Sequence, residues 1–360
     1  MTEPFEVHQF VPCLLPMDAV GNHTLGVHDA LEHAGVHGGI WAISVHEDLS
    51  ARGKPYPKFP RSGNGGPRLA LYQAASVAGG LVDFFLGLPD RKTLYFHNVT
   101  PPEFFEPYEP EIARGLRQAR QEVERVAAQA KVAIAASAYN ARELSAAGVP
   151  QVVVIPPYLA PGRATHPQPD LLAELRDTKR GFDLLFVGRL APNKGHEHLI
   201  RLVSVIRSAI DPDVRLFLVG GPGPPAYMRA LRRLVDQLAS GAIFLTGAVS
   251  DEALAAYYAT ADVFVSTSQH EGFGIPLLEA MRADVPIVAY DAGAVGETLG
   301  GAGVLVNTTD PTVLAEIVAR VARDERLSAE LRQAQHARAR ELEGFNRDGQ
   351  LIEALRRAAD

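Results

Sequence analysis

Cysteine is almost missing from this chain of 360 residues. Cys13 is the single one, so no intrachain disulfide can form, which suits a reducing compartment; its setting reads as a buried strand. A basic excess is missing too. The formal net charge is -7, whereas a general nucleic-acid binder carries a positive field, so no nucleic-acid partner is expected. The most apolar stretch, SVAGGLVDFFLGL, is interrupted by Asp83 and is too short to span a bilayer. The opening residues hold Glu3, Glu6 and Asp18 with no basic leader region. A cytoplasmic protein, at most associated with a membrane surface, is expected. Low-complexity tracts and disorder-type composition are not found.

What is present is apolar material for two cores, 47% hydrophobic residues over a length that favours more than one domain. From Asp183 onward strands and helices alternate: DLLFVG, a helix over 194–209, VRLFLVG, a helix over 225–239, IFLTG, a Ser250-capped helix, VFVSTS, a Pro276 helix, PIVAY and GVLV. Such alternation predicts a parallel sheet covered by helices. The N-terminal half repeats it with QFVPCLLP, a helix carrying Val27, Ala30, Leu31 and Ala34 on one face, GIWAISV, TLYF, VAIAAS and VVVIP. Between the halves Pro156, Pro157, Pro161, Pro167 and Pro169 make a stiff, extended connection. The domains are therefore 1–160 and 161–344, with a last helical segment over 345–360.

Residues 270–281 read HEGFGIPLLEAM. A buried strand, Val263 to Val265, runs into a polar loop with Glu271, and a helix begins near Ile275 or Pro276, where proline lacks only an amide that has no partner in a first turn. A helix N-terminus facing a loop attracts anions, and Glu279, one turn in, puts a second carboxylate near it. Carboxylates suit the vicinal hydroxyls of a sugar or ribose. DLLFVGRLAPNKG places Gly188 and Arg189 just past a strand and Lys194 at the next helix start; Arg grips phosphate oxygens bidentately and Lys supplies a movable charge.

These two segments resemble the E-x7-E and G-R-x4-K-G elements of retaining family 4 glycosyltransferases. The resemblance implies the GT-B fold, two Rossmann-like parallel-sheet domains facing an interdomain cleft, the first for the acceptor and the second for the nucleotide-sugar donor. In that fold the last helix often crosses back onto the N-terminal domain. It also implies roles: Glu271 on the donor sugar, Glu279 on the ribose, Arg189 and Lys194 on the diphosphate. Gly188, Gly272, Phe273, Gly274 and Ile275 would line the donor site, and Gly220 and Gly221 would border the base, although a tight turn explains that pair equally well. His97, after TLYF, matches a histidine near donor sugar and acceptor; with Arg189, Lys194 and Glu271 it makes the catalytic set. The loop expected over Gly21 to Thr24 matches the family's glycine loop in part, with Gly21 toward the donor, and Asp18, Asn22, His23 and Asn98 are acceptor candidates.

The expected reaction moves a hexose from a nucleoside diphosphate sugar, GDP-mannose first and UDP-sugars second, to a hydroxyl of a saccharide or glycolipid acceptor in polysaccharide assembly. The configuration at the anomeric carbon is kept. The other readings are a sugar-nucleotide epimerase of the same architecture and a noncatalytic carbohydrate-binding protein. No cofactor and no metal are expected, because His196 with His198 and His28 with His33 lack further ligands at metal-site spacing, and Asp211-Pro212-Asp213 fits a turn. Residues 51–68 hold Arg52, Lys54, Lys58, Arg61 and Arg68 with Tyr56 and Phe59 and no acid. They read as a mobile loop, either simply solvated or in peripheral contact with an anionic membrane surface or acceptor.

Overall fold

The computed structural model describes residues 5–16, 18–60, 66–158 and 166–360. The chain divides into two compact units, one made of Met1–Glu103, Glu111–Ala160 and Phe345–Asp360, the other of Phe104–Pro110 and Pro161–Gly344. Unit 1 contains β1 (Glu6–Leu14), α1 (Ala19–His33), β2 (His37–Val45), β3 (Gly53–Pro55), β4 (Arg68–Ala74), α2 (Gly80–Leu86), β5 (Arg91–Phe96), α3 (Pro110–Ala127), β6 (Val132–Ala135), α4 (Ala138–Ala146) and β7 (Gln151–Val154). Unit 2 contains α5 (Pro169–Asp177), β8 (Asp183–Val187), α6 (His196–Ala209), β9 (Arg215–Val219), α7 (Pro225–Leu238), β10 (Ile243–Gly247) and α8 (Asp251–Thr260). It continues through β11 (Val263–Ser266), α9 (Ile275–Arg282), β12 (Ile287–Tyr290), α10 (Val295–Leu299), β13 (Val304–Val306), α11 (Pro311–Arg323) and α12 (Glu325–Glu343). The chain ends in α13 (Arg347–Ala359).

Both sheets are parallel, in the orders β3-β2-β1-β4-β5-β6-β7 and β10-β9-β8-β11-β12-β13. Alternation along each strand divides the side chains between the two helix layers. On β4, Ala70 and Tyr72 join Leu81 and Phe85 of α2 and Val123 of α3, whereas Leu69 and Leu71 join Leu31 of α1 and Leu351 and Leu355 of α13. The last helix thus completes one face of unit 1. In unit 2 the core gathers Leu184, Leu216 and Val265 from the strands with Leu199, Leu231 and Val318 from the helices. The segment 104–110 groups with unit 2, where Tyr108 packs edge-on to Tyr227 at 4.9 Å.

Several local expectations are corrected. Cys13 lies on β1 but is exposed. Gly21 to Thr24 are not a loop: Asp18 accepts from the Gly21 amide at 2.8 Å and caps α1, so the helix starts at Ala19. Residues 53–58 are β3 and a 3-10 turn rather than a mobile loop. Phe59 is buried against Phe10 and Trp41, Arg68 stacks over it and reaches Asp90 at 3.6 Å, and Arg52 pairs with Asp29. Lys54 and Lys58 are exposed, and Arg61 lies outside the described residues. Asp211 accepts from the amides of Phe182 and Asp213, the turn role its spacing fits.

Candidate active site

Open parallel sheets bind ligands outside the carboxyl ends of their strands, where the strand order reverses. In unit 2 the reversal falls between β8 and β11. Two loops leave the sheet there, 188–195 and 267–274, and they are stitched together. The Gln269 amide donates to the Asn193 carbonyl at 2.8 Å, Asn193 Nδ2 to the His270 carbonyl at 3.4 Å, and Thr267 Oγ1 to the Gly195 carbonyl at 2.8 Å. Across this seam Lys194 Nζ donates to Glu271 Oε1 at 2.7 Å, with the side chains only 19% and 16% exposed. Arg189, on the same loop as Lys194, is exposed; its Nε donates to the Pro222 carbonyl at 3.4 Å, and it forms no ion pair among the described residues. Among the described residues Arg189 has no carboxylate partner, and Lys194 is already neutralised by Glu271.

The Glu271 loop is braced from the loop after β12 and from α10. Gly293 has φ 61, and a Cβ on it would stand 2.3 Å from the Glu271 carbonyl oxygen. The Ala294 amide donates to that oxygen at 2.9 Å and Thr298 Oγ1 donates to the Phe273 carbonyl. Gly274, at φ 89, turns the chain into α9, which opens with Ile275 and Pro276 as expected. Gly272 is half-buried and Phe273 buried. Glu279 sits one turn into α9, 6% exposed, and accepts from the Tyr258 hydroxyl at 3.1 Å. Sequence reasoning missed Gly293, Thr298 and Tyr258. The glycine in Asp291-Ala292-Gly293, directly past PIVAY, was a usable signal for the first; nothing marked the other two.

Gly188 and Gly220 meet back to back: a Cβ on Gly220 would be 2.0 Å from the Gly188 carbonyl oxygen, and the Gly188 amide donates to the Val219 carbonyl at 2.9 Å. Close backbone packing therefore explains Gly220. Gly221 faces open space, and its carbonyl accepts from the Leu190 amide.

In unit 1 the strand order reverses between β1 and β4. His97 follows β5 beside this point, partly exposed, with Nε2 2.9 Å from Gln73 Oε1. Its ring stacks on Tyr95 at 4.8 Å and meets His23 edge-on at 4.5 Å. Protein surrounds most of it, and that burial depresses its pKa to about 3, so the ring is neutral at physiological pH. The acceptor candidates are mostly engaged within the fold. Asp18 is spent on capping α1 and Asn22 is half-buried in the helix. His23 is fully buried, its Nδ1 accepts from the Tyr158 amide at 3.0 Å, and burial holds its pKa well below the ordinary value, so it is not presented to a ligand. Asn98 is buried at φ 92, and its amide nitrogen donates to Asn140 at 2.8 Å and Glu143 at 3.2 Å. A Cβ on Gly21 would lie 2.6 Å from the Leu15 carbonyl oxygen, so the glycine permits α1 to follow β1 closely.

Sucrose-phosphate synthase from Thermosynechococcus elongatus superposes with a TM-score of 0.75 at 20% identity, over 98% of both chains. Anabaena HepE, solved with UDP and glucose, superposes with a TM-score of 0.73 at 20% identity, over 97% of this chain and 99% of that one. The chain has the GT-B glycosyltransferase fold. Within it, residues 181–324 match the family model described as glycosyl transferases group 1. A GDP-mannose-dependent alpha-(1-6)-phosphatidylinositol monomannoside mannosyltransferase of Mycolicibacterium smegmatis is 32% identical over 228 residues, 59% of this chain and 58% of that protein. A D-inositol 3-phosphate glycosyltransferase of Corynebacterium efficiens is 34% identical over 161 residues, 42% of this chain and 38% of that one. Neither match spans two thirds of the relative. Arg189, Lys194, Glu271 and Glu279 of this GT-B chain lie inside the segment that the family model matches, and His97 and α1 lie outside it.

Proposed function

We propose that this protein is a retaining, metal-independent glycosyltransferase of the family 4 kind. It transfers a hexose from a nucleoside diphosphate sugar to a hydroxyl of a saccharide or lipid-linked acceptor. The observation that carries the proposal is the Lys194–Glu271 ion pair, formed by the two loops at the strand-order reversal inside the group 1 glycosyltransferase segment. A diphosphate arriving there exchanges partners with the pair: Lys194 and Arg189 turn to phosphate oxygens and Glu271 is released to the hydroxyls of the donor sugar. Glu279, oriented by Tyr258, takes the ribose hydroxyls. The bond from the anomeric carbon to the phosphate oxygen breaks and the acceptor oxygen bonds that carbon on the same face. The acceptor's proton passes to the leaving phosphate, and the two cations stabilise the negative charge that develops there. Side chains supply the neutralising charge, so no metal takes part.

GDP-mannose is the first donor, on the strength of the GDP-mannose-dependent relative, with UDP-sugars second. Unit 1 receives the acceptor, on the cytoplasmic side of polysaccharide assembly, and Lys54 and Lys58 are exposed cations that serve for contact with an anionic membrane surface. No helix among the described residues is long and apolar enough to cross a membrane.

Thermal-shift titration with GDP, UDP and dTDP tests the donor half, because a ligand that binds only the folded state raises apparent stability. One of the three is expected to stabilise the protein, and the effect is expected to weaken in Lys194→Ala; indifference to all three overturns the proposal. Incubation of the preferred donor then separates glycosyl transfer from epimer formation and from binding alone.

A further inference from the structure

Four groups in unit 1 form an unbroken polar line across the middle of its sheet. Gln9 on β1 and Gln73 on β4 are both 0% exposed at the centre of the sheet. Buried amides are costly unless paired, and these are paired end to end. Gln9 Nε2 donates to the Thr24 carbonyl at 3.1 Å, Gln73 Nε2 donates to Gln9 Oε1 at 2.7 Å, and Gln73 Oε1 lies 2.9 Å from His97 Nε2.

The direction of the line is not arbitrary. A backbone carbonyl can only accept, so the Thr24 oxygen forces Gln9 to turn its NH2 toward α1 and its oxygen toward β4. Gln73 must then give its NH2 to Gln9 and its oxygen to His97. The last member has no choice left: Nε2 carries the proton. A neutral imidazole with a proton on Nε2 has a lone pair on Nδ1, and the stack on Tyr95 with the edge of His23 holds the plane of the ring.

We infer that Gln9 and Gln73 are positioning residues that fix the tautomer of His97, so that its Nδ1 accepts a hydrogen bond from a hydroxyl of the saccharide acceptor that unit 1 receives. The identity of that hydroxyl rests on the glycosyltransferase proposal, whereas the tautomer does not. His97 accordingly acts as an oriented acceptor.

The full-length protein labelled with 15N-histidine tests this by two-bond proton–nitrogen correlation spectra at neutral pH, with His97→Phe assigning the ring. The expected wild-type spectrum shows His97 as the Nε2–H tautomer alone. Gln73→Met and, separately, Gln9→Met are expected to give a mixture of tautomers and to lower kcat/KM for transfer by about tenfold, the cost of one misdirected hydrogen bond. The thermal shift with GDP should stay unchanged in both. A wild-type ring protonated on Nδ1 or already mixed, or a Gln9→Met protein that keeps pure Nε2–H, overturns the inference. If Gln73→Met fails to fold, the wild-type spectrum and Gln9→Met decide. The expected tautomers in a protein that transfers from no donor would overturn the functional proposal and the sugar contact with it, while the role of the two glutamines in fixing the ring would stand.

Discussion

With Lys194 Nζ 2.7 Å from Glu271 Oε1 and both side chains mostly covered, removing one leaves the other a charge without its partner. Lys194→Ala and Glu271→Ala are each expected to lower stability, and the double variant to lose less than the sum, by about 0.5–3 kcal/mol, in denaturant titrations. An additive result would mean that the pair is not formed in solution. The Tyr258 hydroxyl is a finer case. Tyr258→Phe removes the donor that orients Glu279 and is expected to cost about 1 kcal/mol of stability and to raise KM for the donor with little change in kcat. Glu271 and Lys194 were legible in the sequence because their neighbours, Gly-Phe-Gly-Ile-Pro and Pro-Asn-Lys-Gly, carry the turn chemistry that places them. Tyr258 was not, because its reach to Glu279 depends on how α8 packs beside α9. His23 misled for the opposite reason: Gly21 and Asn22 look like a turn, yet Asp18 caps a helix there and draws the ring inside.

At the scale of elements, the loop after β12 is rigid where Gly293 touches the Glu271 backbone. Gly293→Ala combines a left-handed φ with a Cβ 2.3 Å from a carbonyl oxygen, and is expected to cost on the order of 1–3 kcal/mol and to weaken nucleotide binding. Equal stability and affinity in thermal shifts with and without GDP would contradict that bracing role. The last helix makes a second test. Leu351 and Leu355 of α13 are fully buried in the core of unit 1, each worth about 1.5–3 kcal/mol, so removing 345–360 is expected to expose an apolar face and give aggregated or unfolded protein. The strands of unit 2 were legible as apolar runs between turn residues. β4 was not, because Arg-Leu-Ala-Leu-Tyr-Gln-Ala begins inside a basic, proline-rich stretch that reads as loop. Missing β4 hid Gln73, and with it the polar line that ends at His97.

For the whole molecule, buried neutral histidines link folding to pH. Burial lowers His97 and His196 to about 3, and His23 well below its ordinary value, whereas the unfolded chain binds protons at these sites near pH 6.5. Between those values the unfolded state holds more protons, so stability must fall as pH drops below about 6.5, by about 1.4 kcal/mol per pH unit for each histidine. Denaturant titrations at pH 7.5, 6 and 5 are expected to show this decline, and a flat profile would contradict the buried neutral rings.

The most direct test of the account is a transfer assay with GDP-mannose and UDP-glucose in the presence of EDTA, with lipid-linked and free saccharide acceptors. Wild type, Lys194→Ala and Glu271→Ala are compared, and the product's anomeric configuration is read by NMR. The account predicts release of nucleoside diphosphate and a glycoside with the donor's configuration from wild type, and a loss of about a hundredfold or more in either variant, as expected for groups that act on the transition state. Transfer at the wild-type rate in Glu271→Ala and Lys194→Ala, or a product of inverted configuration, would contradict it.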